Sequence, residues 1–200
     1  TLMQQQDIKR ALDIGPSFQT VIFRQAFPDV VLETMGWEDH RYRTGSDTVH
    51  HALDLNQTAG PVPCPLPAPV DLILFLEVIE HLYTSPIHVL RYLHRCLAPD
   101  GVMMITTPNA VSLRNRIWPL LGRNPYELLR ENGTNPGHFR ELTRAELIAY
   151  CEQAGFTVVD VKIENLHRSA NVIRRFFSVV TNWLPGNFRR DMTVVVRKRT

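Results

Sequence analysis

Short apolar runs rich in β-branched residues alternate along this chain with segments whose apolar positions recur at spacings of three and four. Strands followed repeatedly by helical patterns predict a mostly parallel sheet covered by helices on both faces. Seven strands are expected, over residues 9–15, 30–35, 50–55, 70–75, 101–107, 156–165 and 192–199. "FQTVIFRQAF" reads as a helix, and "PIHVLRYLHRCL" puts Ile87, Leu90, Leu93 and Leu97 on one face. "TRAELIAYCEQAG" carries its own punctuation: Thr143 as N-cap, Glu146 three residues on as in a capping box, and Gly155 as the stop.

Some stretches depart from the alternation. "GPVPCPLPAP", residues 60–69, holds five prolines and is expected to be an extended surface connector, because proline lacks the amide donor a sheet or helix interior needs. Residues 108–142 read as an insertion on the substrate side, with an Asn-, Gly- and Pro-rich loop over 121–138 that is long for an idle connection. Residues 166–190 read as an apolar helix and loop before the last strand. In "ANVIRRFFSVVTNWL" a broad apolar face including Val172, Ile173, Phe176, Phe177, Val180, Trp183 and Leu184 fits a helix lying on the sheet. Its stretch 170–184 also fits a helix touching a membrane surface or a partner.

Composition narrows the setting. The 200 residues, 44% hydrophobic and 21% charged, suit a single globular domain over 1–200 with its own core. A net charge of +2 gives no reason to expect nucleic acid as a partner, and oligomeric state is left open. Cys64, Cys96 and Cys151 lie far apart without a C-x-x-C pair, which points away from a disulfide framework or thiolate metal site and towards the cytoplasm. No apolar run reaches the roughly 18 residues of a spanning helix, and the N-terminus has no signal-peptide core. The first residue is Thr rather than Met, as in a sequence that starts inside a longer protein.

Candidate chemistry gathers where the strands are expected to end. "ALDIGPSFQT" turns from a strand through Asp13 and Gly15 straight into a helix, a place where backbone amides can face a ligand. Acids after the next strands suit a ribose diol and an adenine amino group, both hydrogen-bond donors. "LFLEVIEHLYTSP" places Glu77, Glu80 and His81 at i, i+3 and i+4, on one face if the segment is helical. The bland alternative is an acidic first helical turn favoured by the helix dipole.

The fragments "LDIG", "HALDLN", "VDLILFLEVIEHL", "LAPDGVMMITTPN" and "GHFRELTRAELIAYCEQAGF" resemble, in order and spacing, the class I S-adenosylmethionine-dependent methyltransferases. The resemblance implies an α/β, doubly wound, Rossmann-like sheet of seven strands whose last strand is antiparallel. It implies S-adenosylmethionine as cofactor, with Asp13 and Gly15 by its methionine part, an acid after the second strand on the ribose, Asp54 near adenine, and the backbone of Phe75 and Leu76 lining the pocket. Ser17 stands in the loop where the family usually has further glycine. For the ribose acid, Glu33 lies within its strand while Glu38 and Asp39 follow Gly36, and Glu38 is preferred.

A subset of the family, including small-RNA 3′-terminal 2′-O-methyltransferases and ubiquinone-pathway O-methyltransferases, carries E-x-x-E-H with a later His as a divalent-metal site. The positions matching it are Glu77, Glu80, His81 and His138, a mixed oxygen and nitrogen set suited to Mg2+ or Mn2+. Without a metal, His138 or His81 is the candidate catalytic base. A structural role for all four residues stays open. The expected function is an O-methyltransferase for a sugar, glycan or small-molecule hydroxyl, with Asn109, Arg114, Asn115, Arg116, Arg123 and Tyr126 as candidate acceptor contacts. RNA ribose 2′-O-methylation and a non-catalytic docking module are the alternatives.

Overall fold

A computed structural model describes residues 7–37, 49–131, 136–165, 177 and 179–199. In chain order the elements are β1 (Arg10–Ile14), α1 (Phe18–Ala26), β2 (Val31–Gly36), β3 (His50–Ala52), β4 (Val70–Leu76), α2 (Pro86–Cys96), β5 (Leu97–Pro108), α3 (Leu113–Leu120), α4 (Arg144–Gln153), β6 (Phe156–Glu164) and β7 (Asp191–Lys198). The strands form one seven-stranded sheet in the order β3-β2-β1-β4-β5-β7-β6. Neighbours are parallel except around β7, which runs antiparallel to both β5 and β6. The fold class is therefore the expected one.

This order places a topological switch between β1 and β4. The chain moves outward one way through β2 and β3, then returns to add β4 on the other side of β1. A crevice opens beyond the carboxyl ends of such a strand pair, and ligands of open α/β sheets sit there.

Alternation along the central strands divides the core. Leu12, Ile14, Ile73 and Phe75 point to one face, where Val89, Leu90 and Leu93 of α2 and Leu147 and Cys151 of α4 complete the larger apolar cluster. Ala11, Leu32, Leu72 and Leu74 point to the other, with Phe23 of α1 packed against them. The α4 capping box forms as read: the Glu146 carboxylate accepts from Thr143 N at 2.8 Å, and Thr143 Oγ1 accepts from Glu146 N at 3.3 Å.

Several boundaries differ from the sequence expectation for local reasons. β3 stops at Ala52 because Asp54 accepts from Asn56 N at 3.0 Å and starts a 3₁₀ turn over Leu55–Ala59. β5 begins at Leu97, four residues early, with a pairing irregularity between Val70 and Leu72. The acidic segment after β4 is not the first turn of a helix. Glu77 adopts a left-handed φ of 56°, a single 3₁₀ turn covers Ile79–His81, and the helix begins later, with proline in its first turn at Pro86.

The proline-rich connector is irregular, as expected, but it brings two distant cysteines together. Cys64 Sγ lies 2.8 Å from Cys96 Sγ, beside Tyr92, whose hydroxyl donates to Pro63 O. Sequence separation concealed this thiol pair. The membrane or partner helix expected over 170–184 lies mostly outside the described residues; 177 and 179–182 are helical, and Trp183 is 89% exposed rather than packed on the sheet. No described helix is long and apolar enough to cross a membrane.

Candidate active site

At the β1 end the chain needs a bare turn. Gly15 has φ +68°, and a Cβ there would meet Val78 Cγ2 at 2.8 Å, so glycine is required on both counts, conformation and space; at Gly36 the φ of +154° is the constraint, since a Cβ there would make only ordinary contact with Gly15. Ser17 caps α1: its hydroxyl accepts from Gln19 N at 3.2 Å. Asp13 is buried and turned towards α1, where Thr20 Oγ1 donates to it at 2.5 Å. Burial raises the Asp13 carboxyl to about 6, against partial relief from the Thr20 hydroxyl and the Arg24 guanidinium.

The remaining sequence candidates at this end divide. Glu33 is buried within β2 and held by Arg10 and by His51 Nε2 at 2.7 Å, so its carboxylate is occupied inside the sheet. Glu38 and Asp39 lie outside the described residues. Asp54 holds Asn56 through both its backbone and side-chain amides. Phe75 and Leu76 end β4, paired with Ile105 and Thr106 of β5, beside the Gly15 turn.

The second cluster is assembled across the sequence. Phe139 N and Arg140 N both donate to Glu80 O, at 2.8 and 3.3 Å, which draws the segment before α4 onto the Ile79–His81 turn. The His81 and His138 rings meet edge to face with centroids 4.8 Å apart. Ligand atoms of Glu80, His81 and His138 all lie within 4.8 Å of one another. Glu77 stands outside this group, since its left-handed backbone precedes the turn instead of sharing a helical face with it. Its charge is nevertheless felt at Glu80.

Hydrogen bonds fix which imidazole atoms face inward. His81 Nδ1 lies 2.9 Å from Gly137 O, and a carbonyl can only accept, so Nδ1 carries the proton and Nε2 keeps its lone pair. His81 Nε2 is 4.0 Å from Glu80 Oε1. Glu80 is fully buried; Thr107 Oγ1 donates to Oε2 at 2.9 Å, while Oε1 has no hydrogen-bond partner. Burial, reinforced by Glu77, raises this carboxyl to about 8. Burial lowers the His81 imidazole, whereas the hydrogen bond that His138 donates to Glu141 leads the causes that raise His138. An orphaned carboxylate oxygen facing imidazole nitrogens fits a divalent cation, and the oxygen and nitrogen donors suit Mg2+ or Mn2+ over structural zinc.

Beside His138 opens a cavity of about 290 Å³, bordered by Arg114, Tyr126, Glu127, Glu141 and Arg190. Of the polar residues expected to touch an acceptor, Asn109, Arg114, Asn115 and Tyr126 line this cavity, while Arg116 and Arg123 do not. Asn109 is buried and donates to Asn187 O and Arg189 O; Asn115 donates to the backbone of Asn109 and Ala110; Arg116 stacks on Phe188 and donates to Val111 O. Thr107, Thr20 and Glu141 were not anticipated from sequence. For Glu141 a signal existed, its position three residues after His138.

The chain matches the family model described as a methyltransferase domain over residues 5–161. It is 37% identical over 97 residues to a probable S-adenosylmethionine-dependent methyltransferase of Mycolicibacterium smegmatis, a match covering 48% of this chain and 32% of that protein. The chain thus spans about a third of that relative's length. Among solved structures it resembles the methyltransferase bound to the Trm112 activator of Haloferax volcanii, with TM-score 0.66, 13% identity and coverage of 96% and 82% of the two chains. A SAM-dependent methyltransferase of Archaeoglobus fulgidus gives TM-score 0.61, 18% identity and coverage of 96% and 87%. The N-methyltransferase NodS of Bradyrhizobium japonicum, solved with S-adenosyl-L-homocysteine, gives 0.58, 14%, 99% and 82%. At these identities the structural likenesses speak for the fold. With the family model matched over most of the sequence, the chain belongs to the class I S-adenosylmethionine-dependent methyltransferases.

Proposed function

We propose that this chain methylates a hydroxyl oxygen of a sugar, glycan or other hydroxylated small molecule, with a divalent cation held by Glu80, His81 and His138. The observation that carries the reading is the Glu80 carboxyl group: fully buried, one oxygen without a hydrogen-bond partner, and facing the imidazoles of His81 and His138, the second of which borders a polar cavity. When bound, S-adenosylmethionine supplies an electrophilic methyl carbon, and Mg2+ or Mn2+ lowers the pKa of a hydroxyl brought against it.

The protein's own part is placement and proton handling. Gly15 and Gly36 keep the β1 and β2 ends bare for close approach, and the ends of β4 and β5 bring Glu80 and Thr107 to the same edge of the sheet. The hydroxyl proton must leave as oxygen bonds to carbon. With a cation bound, His138 Nε2 would be one of its ligands, Nδ1 being turned to Glu141, and the proton would pass to solvent; with no cation bound, the same Nε2 would take that proton. Tyr126, Arg114 and Arg190 border the space the acceptor would fill, a lining suited to hydroxyl-rich or anionic groups.

Calorimetric titration with S-adenosylhomocysteine, with Mn2+ and again with chelator, together with transfer of labelled methyl to a panel of sugars, diols and phenols, tests the proposal. Binding that needs no metal, followed by metal-dependent transfer to oxygen, is the expected result. Absence of cofactor binding in both conditions would leave a non-catalytic module. Transfer that persists under chelator would remove the metal and leave His138 as base.

A further inference from the structure

Metal-binding histidines owe their orientation to whatever holds the other ring nitrogen, and such partners change metal affinity by roughly 10–100-fold when removed. His81 has a main-chain partner, Gly137 O. His138 has a side-chain partner: Nδ1 lies 3.2 Å from Glu141 Oε1. Glu141 is largely covered, its side chain 12% exposed, and it is not left to choose its own position. Its other oxygen, Oε2, accepts from Asn115 Nδ2 at 3.0 Å, and the same amide nitrogen is tied to Ala110 O at 3.2 Å. Asn115 sits on α3, so the helix that walls the cavity also fixes the carboxylate behind the histidine.

We propose that Glu141, held by Asn115, is a positioning residue that keeps the His138 proton on Nδ1 and turns Nε2 towards Glu80 and the cavity. This rests on the metal-assisted reading given above for the use of Nε2, but the tautomer itself does not. The neighbouring acid Glu127 does not serve in this way, because its Oε1 lies 3.9 Å from His138 Nε2, beyond a hydrogen bond. An acceptor filling the cavity would contact the same wall that fixes the imidazole, which couples acceptor fit to the direction of Nε2.

The test uses the full chain with Glu141→Ala and Glu141→Gln. Nitrogen-15 correlation spectra of the metal-free protein read the His138 tautomer, and calorimetry reads Mn2+ affinity. In the native protein the proton is expected on Nδ1. In Glu141→Ala a mixed or Nε2-protonated ring and an affinity lower by about 10–100-fold are expected. Glu141→Gln, nearly isosteric, should fall between them, since its amide puts an NH2 donor where one of the two carboxylate oxygens accepted from His138 or Asn115, and it carries the test if the alanine variant does not fold. A native Nδ1–H tautomer and native Mn2+ affinity in a folded variant would overturn the proposal. If the unaltered protein takes up no Mn2+, the metal reading fails by itself, and the tautomer still decides the role of Glu141.

Discussion

Asp13 and Glu80 are both carboxylates buried near the carboxyl edge of the sheet, each accepting from a threonine hydroxyl, and both are raised by desolvation, to about 6 and about 8. They differ in what surrounds them. Asp13 has a cation nearby, Arg24, and lies under a capped helix that supplies its hydroxyl donor. Glu80 has a second acid nearby, Glu77, and an oxygen with no donor at all. A buried acid that the fold compensates holds the turn in shape; one that the fold leaves uncompensated is a place for a ligand.

The largest expected effect bears on the uncompensated member. Glu80→Gln should lower methyl transfer by about two orders of magnitude or more and weaken Mn2+ binding in step, while the protein stays folded, because a neutral amide replaces a carboxyl that burial already holds largely protonated without metal. Thermal unfolding and calorimetry on one preparation check both halves. A folded Glu80→Gln protein with native Mn2+ affinity would remove Glu80 from the metal site.

Next comes the turn on which Asp13 depends. Gly15→Ala forces a side chain onto a φ of +68° and into Val78 Cγ2, so a loss of about 1–3 kcal/mol of stability is expected, with cofactor affinity falling further than the melting point would suggest. Denaturant unfolding and S-adenosylhomocysteine titration measure the two separately.

The pH dependence of stability sharpens the contrast. Asp13 titrates near 3.8 when unfolded and at about 6 when folded, so the native state binds its proton more tightly. Its favourable contribution is complete below pH 4 and disappears as pH rises through 6, a change on the order of 3 kcal/mol. In Asp13→Asn that slope should vanish between pH 4 and 6 in urea unfolding curves taken across the range. An unchanged slope would mean that another group governs the window.

The smallest effect is a paired one. Thr20→Val and Thr107→Val each remove a hydroxyl donor to a buried carboxylate, at a cost of about 1–2 kcal/mol in stability. Thr20→Val should show this cost with or without metal. For Thr107→Val, Mn2+ should recover most of it, and melting curves with and without Mn2+ would distinguish the two.

How much of this was legible in the sequence follows from the range of the interactions. Strand alternation, the Thr143 capping box and the glycine turn are set by residues close in the chain, and their patterns carry through to the structure. The geometry of Glu77 was not legible, because a left-handed residue at a strand end looks the same in sequence as the start of a helix. The Cys64–Cys96 contact and the Asn115–Glu141–His138 chain were concealed too, since each joins segments whose approach depends on the finished sheet. His138 was found through family resemblance, while the hydrogen bonds that bring it to Glu80 belong to the main chain and have no side-chain signature.

Those main-chain bonds have a consequence for how such an enzyme can change. The excursion after β5 leaves the sheet beside a bridge between Asn109 and Leu142 and comes home where Phe139 N and Arg140 N are fastened to Glu80 O. Its two ends are clamped by backbone, independently of what is written between them. Residues Leu120 to Asn124 can therefore be lengthened, shortened or exchanged without touching His138, whereas Glu127, 3.9 Å from His138 Nε2, and Arg130, whose N donates to Pro136 O, belong to its surroundings; under the proposed function a different acceptor would be recruited by rewriting the outer part of that loop.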